Sequence, residues 1–473
     1  MSDRAVAAIV GAIVLVSRIP FASQTLWAWD SVLYARALEQ GYQVGVELVD
    51  QRPHPPGYIF YVGAAAAIRF LTRDSNAALV AVSVIASALT AFAVYLLCRQ
   101  FADRQLAVVV ALGAAAGPLV WTYGEVAMPY ALLGLLSVVL ATLMRDARTR
   151  AWPAALVASA ALGLAAGFRQ DLLLLLGPLW LWMLAARSWR ERAICAVAVG
   201  VASLAWFGPT ASLSGGPASY VASLGAQASR VSDLSPAAGS DALLRNTLLT
   251  AYGLWWGLLG FALLLTAALV AALRARTRPS ANAAFFALWL APAALVYVTI
   301  HIGDPGYLMS IVPGLYVACA ALLAPLDTVA PRVLAAFTAL LALASAGVFL
   351  GSDAPFSATA IARHDRSLRE RVSFVRDRIS SGSGVVIAQS EYLTARYYLP
   401  EYRVLFFGDR PEVLSKSERE VRVSAPATVV IFISAPIGTE LASTLRLPDD
   451  GAPLRSGQLG AGDAIVAYDL EPR

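Results

Sequence analysis

His54-Pro55-Pro56-Gly57-Tyr58-Ile59-Phe60-Tyr61-Val62-Gly63-Ala64-Ala65-Ala66-Ala67-Ile68-Arg69-Phe70-Leu71 is the stretch on which the topology of this chain turns. A membrane helix needs ~20 mostly apolar residues to cross ~30 Å. Residues 54–71 come close to that length, but they open on a proline pair and close beside Arg69 and Arg73. If they cross a bilayer, every later loop changes sides. If they lie along an interface, the later loops keep theirs.

Arginine placement decides between the two. Further apolar runs of spanning length occupy 5–21, 76–98, 105–122, 128–144, 151–168, 171–186, 192–210, 247–273, 281–300, 308–326 and 331–351, eleven in all. Cytoplasmic loops are enriched in Arg and Lys. With the N-terminus inside and 54–71 not crossing, the inner loops carry Arg99 and Arg104, then Arg145, Arg148 and Arg150, then Arg187, Arg190 and Arg192, then Arg274, Arg276 and Arg278, then Arg332. The outer turns carry only Arg169 among them. A crossing at 54–71 inverts all of these loops, so the segment reads as an interfacial helix on the outer side.

Composition agrees. The chain has 473 residues, 58% hydrophobic and 14% charged, against ~25% charged in soluble domains, with a mean hydropathy of +0.65. This points to a polytopic membrane protein embedded in membrane lipids and excludes a nucleic-acid binder or a secreted scaffold. The first span has the look of a signal peptide, but further spans follow, so it reads as a retained helix. Of 67 charged residues, 31 lie in the last 122. A membrane domain, 1–351, thus precedes a soluble domain, 352–473, outside the cytoplasm. In the latter, a charged amphipathic helix over 363–379 and apolar runs at 384–388, 403–407, 428–433 and 464–468 read as a small α/β unit. His364 falls on that helix and reads as solvated, and no catalysis is assigned to the domain. Cys98, Cys195 and Cys319 sit in apolar runs without a CxxC and read as buried hydrophobes.

On this topology the unusual polar residues gather on the outer face. They are Trp29-Asp30, Glu47, Asp50, the Arg52-to-Tyr58 segment, Tyr123-Gly124-Glu125, Arg169-Gln170-Asp171 and His301-to-Tyr307. Ionisable groups near membrane depth are costly and usually face a cavity or a partner. Asp30, before a run of helical spacing, reads either as an N-cap or as a carboxylate that accepts a proton from an attacking hydroxyl. His54, stiffened by the prolines that follow it, suits a phosphate, a metal or a carboxylate; the alternative is a rigid entry to the interfacial helix. Glu125 after an apolar span needs a partner or water. Arg169 is suited to a lipid phosphate through two-pronged bonding, or to a local salt bridge with Asp171. His301, Asp304 and Tyr307 flank a Pro-Gly turn or line the same cavity.

An acid just beyond the first helix, a His-Pro-Pro-Gly-Tyr segment opening an interfacial helix and an acid after the third span resemble the GT-C superfamily of membrane glycosyltransferases. The likeness is nearest to the protein O-mannosyltransferase and aminoarabinose-transferase branch, glycosyltransferase family 39, and it covers the layout of about the first 350 residues. It implies an α-helical polytopic GT-C-like fold, a polyprenyl-phosphate sugar donor, an outward-facing site in a bacterial plasma membrane, inversion at the anomeric carbon and an extracytoplasmic tail. The acceptor class, lipid, glycan or protein, is left open. By the resemblance Asp30 takes the place of the first-loop catalytic base, and Glu125, near the second acidic position, is the other catalytic candidate. His54, Pro55 and Pro56 match the Pro-rich loop. Arg52, His54, Tyr58, Arg169, Asp171, His301, Asp304 and Tyr307 complete the candidate substrate-binding set. Asp30 is followed by Ser31 where many relatives carry a second acid, and Glu125-Val126-Ala127-Met128-Pro129 stands where relatives often have Asp-Pro. No cofactor is required by these motifs; a divalent metal is the one candidate, with no ligands assigned. The rival readings are a secondary transporter or lipid flippase, against which the absence of an internal repeat counts, and a non-catalytic scaffold.

Overall fold

The structure, a computed structural model, describes all residues except 46–49, 234, 237–238, 275–280, 328, 389, 407–426, 433–451, 460–462 and 471–473. Glu47, Arg276, Arg278 and the end of the strand expected over 403–407 therefore lie outside the described residues.

All eleven apolar runs are helical. Helices α1 (Asp3–Arg18, with the 3-10 turn that follows it to Phe21), α4 (Ser75–Cys98), α7 (Tyr130–Thr149), α10 (Trp189–Leu213), α14 (Ala281–Thr299) and α16 (Pro331–Gly351) are each long and apolar enough to cross a membrane. Helices α8 (Trp152–Ala165), α9 (Asp171–Leu184) and α15 (Val312–Asp327) are shorter apolar elements. Two expected spans are broken. The 105–122 run divides at Gly117 into α5 (Arg104–Ala116) and α6 (Pro118–Tyr123). The 247–273 run, expected to be continuous, divides at Leu259 into α12 (Ser240–Leu258) and α13 (Gly260–Arg274), bent by 98°. Leu259 itself sits at φ 44°, a conformation that stops a helix for any non-glycine residue. One helix not anticipated, α11 (Pro217–Asp233), precedes them.

Side chains such as Val197, Val201, Leu263, Leu295, Leu340 and Leu343 are more than half exposed. A continuous belt of this kind suits hydrocarbon, not water. Inside the bundle, α1 packs on α4, α4 on α7, α8 on α10 and α5 on α16.

Residues 54–71 end as α3 (Ile59–Thr72), 14 residues long. At 1.5 Å per residue this reaches about 21 Å, short of the ~30 Å hydrocarbon layer. It packs on α4 and on α2 (Trp29–Gln40), and its exit leaves Phe70 and Leu71 almost fully exposed. The segment before it is held by Gly57, whose φ is +87° and where an added Cβ would lie 2.2 Å from the Tyr42 hydroxyl and 2.3 Å from Val44; only glycine fits.

The C-terminal domain has α17 (Ala358–Arg378), α18 (Tyr392–Tyr398) and five strands. Strands β1 (Gly384–Ala388), β2 (Arg403–Phe406), β3 (Ala427–Ile431), β4 (Ala452–Leu459) and β5 (Asp463–Leu470) form one sheet in the order β2-β1-β3-β5-β4. The first three pair in parallel, and β5 and β4 add antiparallel edges. β4 was not anticipated. His364 is not on a solvated face: its Nε2 lies 3.1 Å from the Leu26 carbonyl and its ring 4.7 Å from that of Trp27. The tail therefore sits on the loop that follows α1.

Candidate active site

Asp30 stands in the first turn of α2, whose N-cap is Ala28; the Ala28 N–H donates to Ser31 Oγ at 3.2 Å. The N-cap reading of Asp30 is thus replaced: Ser31 does that work, and Ser31 in turn donates to the Ala127 carbonyl. Asp30 Oδ1 lies 3.9 Å from His54 Nδ1, with the two side chains 27% and 14% exposed.

From His54 a line of aromatic contacts leads inward. His54 meets Tyr58 edge-on at 6.0 Å, and Tyr58 meets Tyr34 at 5.4 Å. The Arg169 guanidinium lies over Tyr307 at 4.5 Å, Tyr130 at 5.5 Å and Tyr58 at 5.9 Å. Cations are held over aromatic faces by the ring quadrupole, more strongly when desolvated, and Arg169 is buried. Its Nη2 reaches Asp171 Oδ2 at 2.7 Å and its Nε reaches both carboxylate oxygens at 3.1 and 3.2 Å. The local salt bridge is formed: Asp171 holds one edge of the guanidinium, and Nη1 makes no hydrogen bond among the described residues.

The 301–307 turn closes the far side. Asp304 accepts from the Gly306 N–H at 2.7 Å and from the Tyr123 hydroxyl. Burial raises the Asp304 carboxyl above its ordinary value, against the Tyr123 bond, the Gly306 N–H and Arg169, which lower it. Gly306 has no room for a side chain, since a Cβ would lie 2.2 Å from the Tyr130 ring. His301 meets Tyr307 at 6.3 Å. The structure thus joins Asp30, His54, Tyr58, Arg169, Asp171, His301, Asp304 and Tyr307 into one cluster. It adds Tyr34, Tyr123 and Tyr130, and Tyr297 at 5.9 Å from Tyr307; none of these four was singled out for a role in the sequence.

Two candidates lie elsewhere. Arg52 Nη1 donates to the Gly41 carbonyl at 2.7 Å, bracing the end of α2. Glu125 is fully buried, with Oε1 accepting from Trp121 Nε1 at 2.6 Å. Its electrostatic partner is Arg18, which is buried within α1, lies over the Trp121 ring at 4.4 Å and donates to the Ala115 carbonyl. Glu125 Oε2 has no hydrogen-bond partner among the described residues, and burial pushes its carboxyl up to about 8 despite Arg18 and Trp121. This is a polar knot in the bundle, separate from the Asp30 cluster. Among the described residues no three His, Cys, Asp or Glu side chains converge as a metal shell.

Residues 53–212 match the family model described as dolichyl-phosphate-mannose-protein mannosyltransferase. No curated protein matches the chain. Among solved structures, ArnT from Cupriavidus metallidurans bound to undecaprenyl phosphate superposes with a TM-score of 0.60 at 14% identity, covering 99% of this chain and 98% of that one. The Archaeoglobus fulgidus oligosaccharyltransferase in complex with Zn and sulfate gives 0.53 at 14% identity over 85% and 62%. The chain shares the fold of ArnT and of the archaeal oligosaccharyltransferase, and the sequence match to the mannosyltransferase family model begins at the Pro-rich loop.

Proposed function

We propose that this protein is a membrane glycosyltransferase that moves a sugar from a polyprenyl-phosphate donor to an acceptor hydroxyl on the extracytoplasmic face, with inversion. The observation that carries the reading is the single cluster in which a first-turn carboxylate, Asp30, and a tyrosine-ringed guanidinium, Arg169, are linked through His54 and Tyr58. Undecaprenyl phosphate bound to ArnT of the same fold supports a polyprenyl donor.

In the reaction the acceptor oxygen bonds to the anomeric carbon as the carbon–oxygen bond to phosphate breaks. Asp30 takes the acceptor proton. The departing polyprenyl phosphate carries its own stabilised charge, and the open Nη1 edge of Arg169 offsets it where water is scarce. His54 orients the Asp30 carboxylate. The tyrosine rings provide flat faces for the sugar. Glu125 is assigned a positioning role, holding the 123–129 segment through its Arg18 and Trp121 contacts, since it is fully buried. No metal step is invoked.

The test uses the purified protein in nanodiscs with a panel of short-chain polyprenyl-phosphate hexoses and pentoses. Acceptor-dependent release of polyprenyl phosphate, with an inverted anomeric configuration in the product, supports the reading. Movement of intact donor between leaflets without cleavage would establish the flippase instead.

A further inference from the structure

The loop between α1 and α2 has a buried centre, Ser23, Thr25 and Leu26, but almost no regular secondary structure of its own. Ser23 and Thr25 are each 4% exposed and Leu26 1%, and buried backbone groups without partners are strongly disfavoured. Its partners come from opposite ends of the chain. On the membrane side, the Ser23 N–H donates to the Glu125 carbonyl and Asn76 Nδ2 donates to the Ser23 carbonyl.

On the other side everything comes from the C-terminal domain. Asp365 of α17 is itself 4% exposed. Its Oδ1 accepts from Thr25 N at 3.0 Å and Thr25 Oγ1 at 2.6 Å and lies 2.8 Å from Ser23 Oγ; its Oδ2 accepts from Gln24 N at 2.8 Å. Tyr398 Oη then accepts from Leu26 N at 2.9 Å, and His364 meets Leu26 and Trp27. The tail also grips the far end of α2: the Tyr397 hydroxyl donates to Glu39 at 2.6 Å, and Arg36 donates to the Arg396 carbonyl.

Asp30 lies between these two grips. Arg369 bonds the Asp365 backbone carbonyl and Gln24 Oε1, but the Asp365 carboxylate forms no ion pair among the described residues, and a buried carboxylate without one is a poor device for stability because its desolvation is costly. It is a good device for fixing geometry, because it accepts from two consecutive backbone N–H groups and two hydroxyls at once. We propose that Asp365 is a positioning residue for the transfer reaction: the C-terminal domain holds loop 22–28 through it and so sets the approach of Asp30 to the acceptor. This rests on the reading of Asp30 as the base.

The full-length protein is tested as Asp365→Asn, Tyr398→Phe and Asp30→Asn, singly and as Asp365→Asn with Asp30→Asn. Small displacements of a catalytic group cost up to about 100-fold. Asp365→Asn is therefore expected to lower kcat roughly 10–100-fold with donor KM little changed, and Tyr398→Phe to lower it less. In the Asp30→Asn background, Asp365→Asn should cost almost nothing more, because both act on one proton transfer. A purely structural role predicts additive losses or a lower melting temperature with normal kcat, and either result overturns the proposal. Hydrogen exchange at the Gln24, Thr25 and Leu26 amides gives a readout independent of activity. Exchange should accelerate in Asp365→Asn, and unchanged exchange overturns the clamp. If the wild type transfers no sugar, the functional reading fails, while exchange still reports on the loop.

Discussion

Replacing Asp30 by Asn separates chemistry from folding. The structure removes the confounding possibility of a lost helix cap, because Ala28 is the N-cap and Ser31 serves its N–H. What Asn removes is the charge. Losing an acid from the first helical turn costs about 0.3–1 kcal/mol, and losing a partly exposed pair with His54 at 3.9 Å costs about 0–1 kcal/mol. General-base catalysis is worth ~10²–10⁴-fold, which is about 2.7–5.4 kcal/mol of barrier. The kinetic loss should therefore exceed the stability loss, and Asp30→Ala should resemble Asp30→Asn in both. Initial rates of polyprenyl-phosphate release with acceptor present, alongside melting temperature and donor binding, measure the three quantities. Asp30→Asn with transfer within about threefold of wild type, against the ~10²-fold expected, refutes the assignment.

Other consequences can be measured directly. Asp171→Ala leaves the Arg169 guanidinium buried without its carboxylate and should destabilise the protein by about 3–5 kcal/mol. Arg169→Met with Asp171→Leu should recover most of that stability in a thermal melt but not donor turnover. Because burial holds the Glu125 carboxyl up at about 8, above the ordinary ~4.3, the folded state keeps a proton there that the unfolded state has released. Stability from this group is thus full below pH ~4.3 and is lost as pH rises through about 8. Melting temperature should fall from pH 5 to 8 in the wild type, and that component should vanish in Glu125→Gln. In intact cells lacking the three buried native cysteines, Arg73→Cys should react with an impermeant maleimide and Arg150→Cys should not; the opposite pattern inverts the topology.

The helices were legible because apolar runs are written in composition alone, although only six of them, or seven with the bent pair, are long and apolar enough to cross a membrane. The short reach of α3 was legible from Pro55, Pro56 and the Arg69–Arg73 flank. The break at Leu259 was not, since the residues on both sides are apolar and no proline interrupts them. β4 was hidden because Ala452-Pro453-Leu454-Arg455-Ser456-Gly457-Gln458-Leu459 has no continuous apolar run, as suits an edge strand. The ionisable members of the candidate site stood out by their cost in a membrane. Tyr58 and Tyr307 stood out with them, but Tyr34, Tyr130 and Tyr297 did not, because tyrosine at a span end equally suits the interfacial belt. Arg18 looked like an ordinary flank of the first helix, so the partner of Glu125 was missed. His364 was misjudged, and Asp365 passed over, for a related reason: in Arg363-His364-Asp365-Arg366 a buried face and a solvated one look alike until the opposite surface is known.

The contact between Thr25 and Asp365 spans 340 residues of chain, and so it imposes an order on biogenesis. The loop that carries Asp30 is among the first segments to leave the ribosome, and the helix that secures it is among the last. Until α17 arrives, the Gln24 and Thr25 amides must find other partners, such as water or passing chaperones. A nascent or truncated chain ending near Gly351 would hold every membrane helix yet lack that hold on its first loop. Stops before Asp365 should therefore release the first loop, whereas stops after Tyr398 keep the residues that hold it.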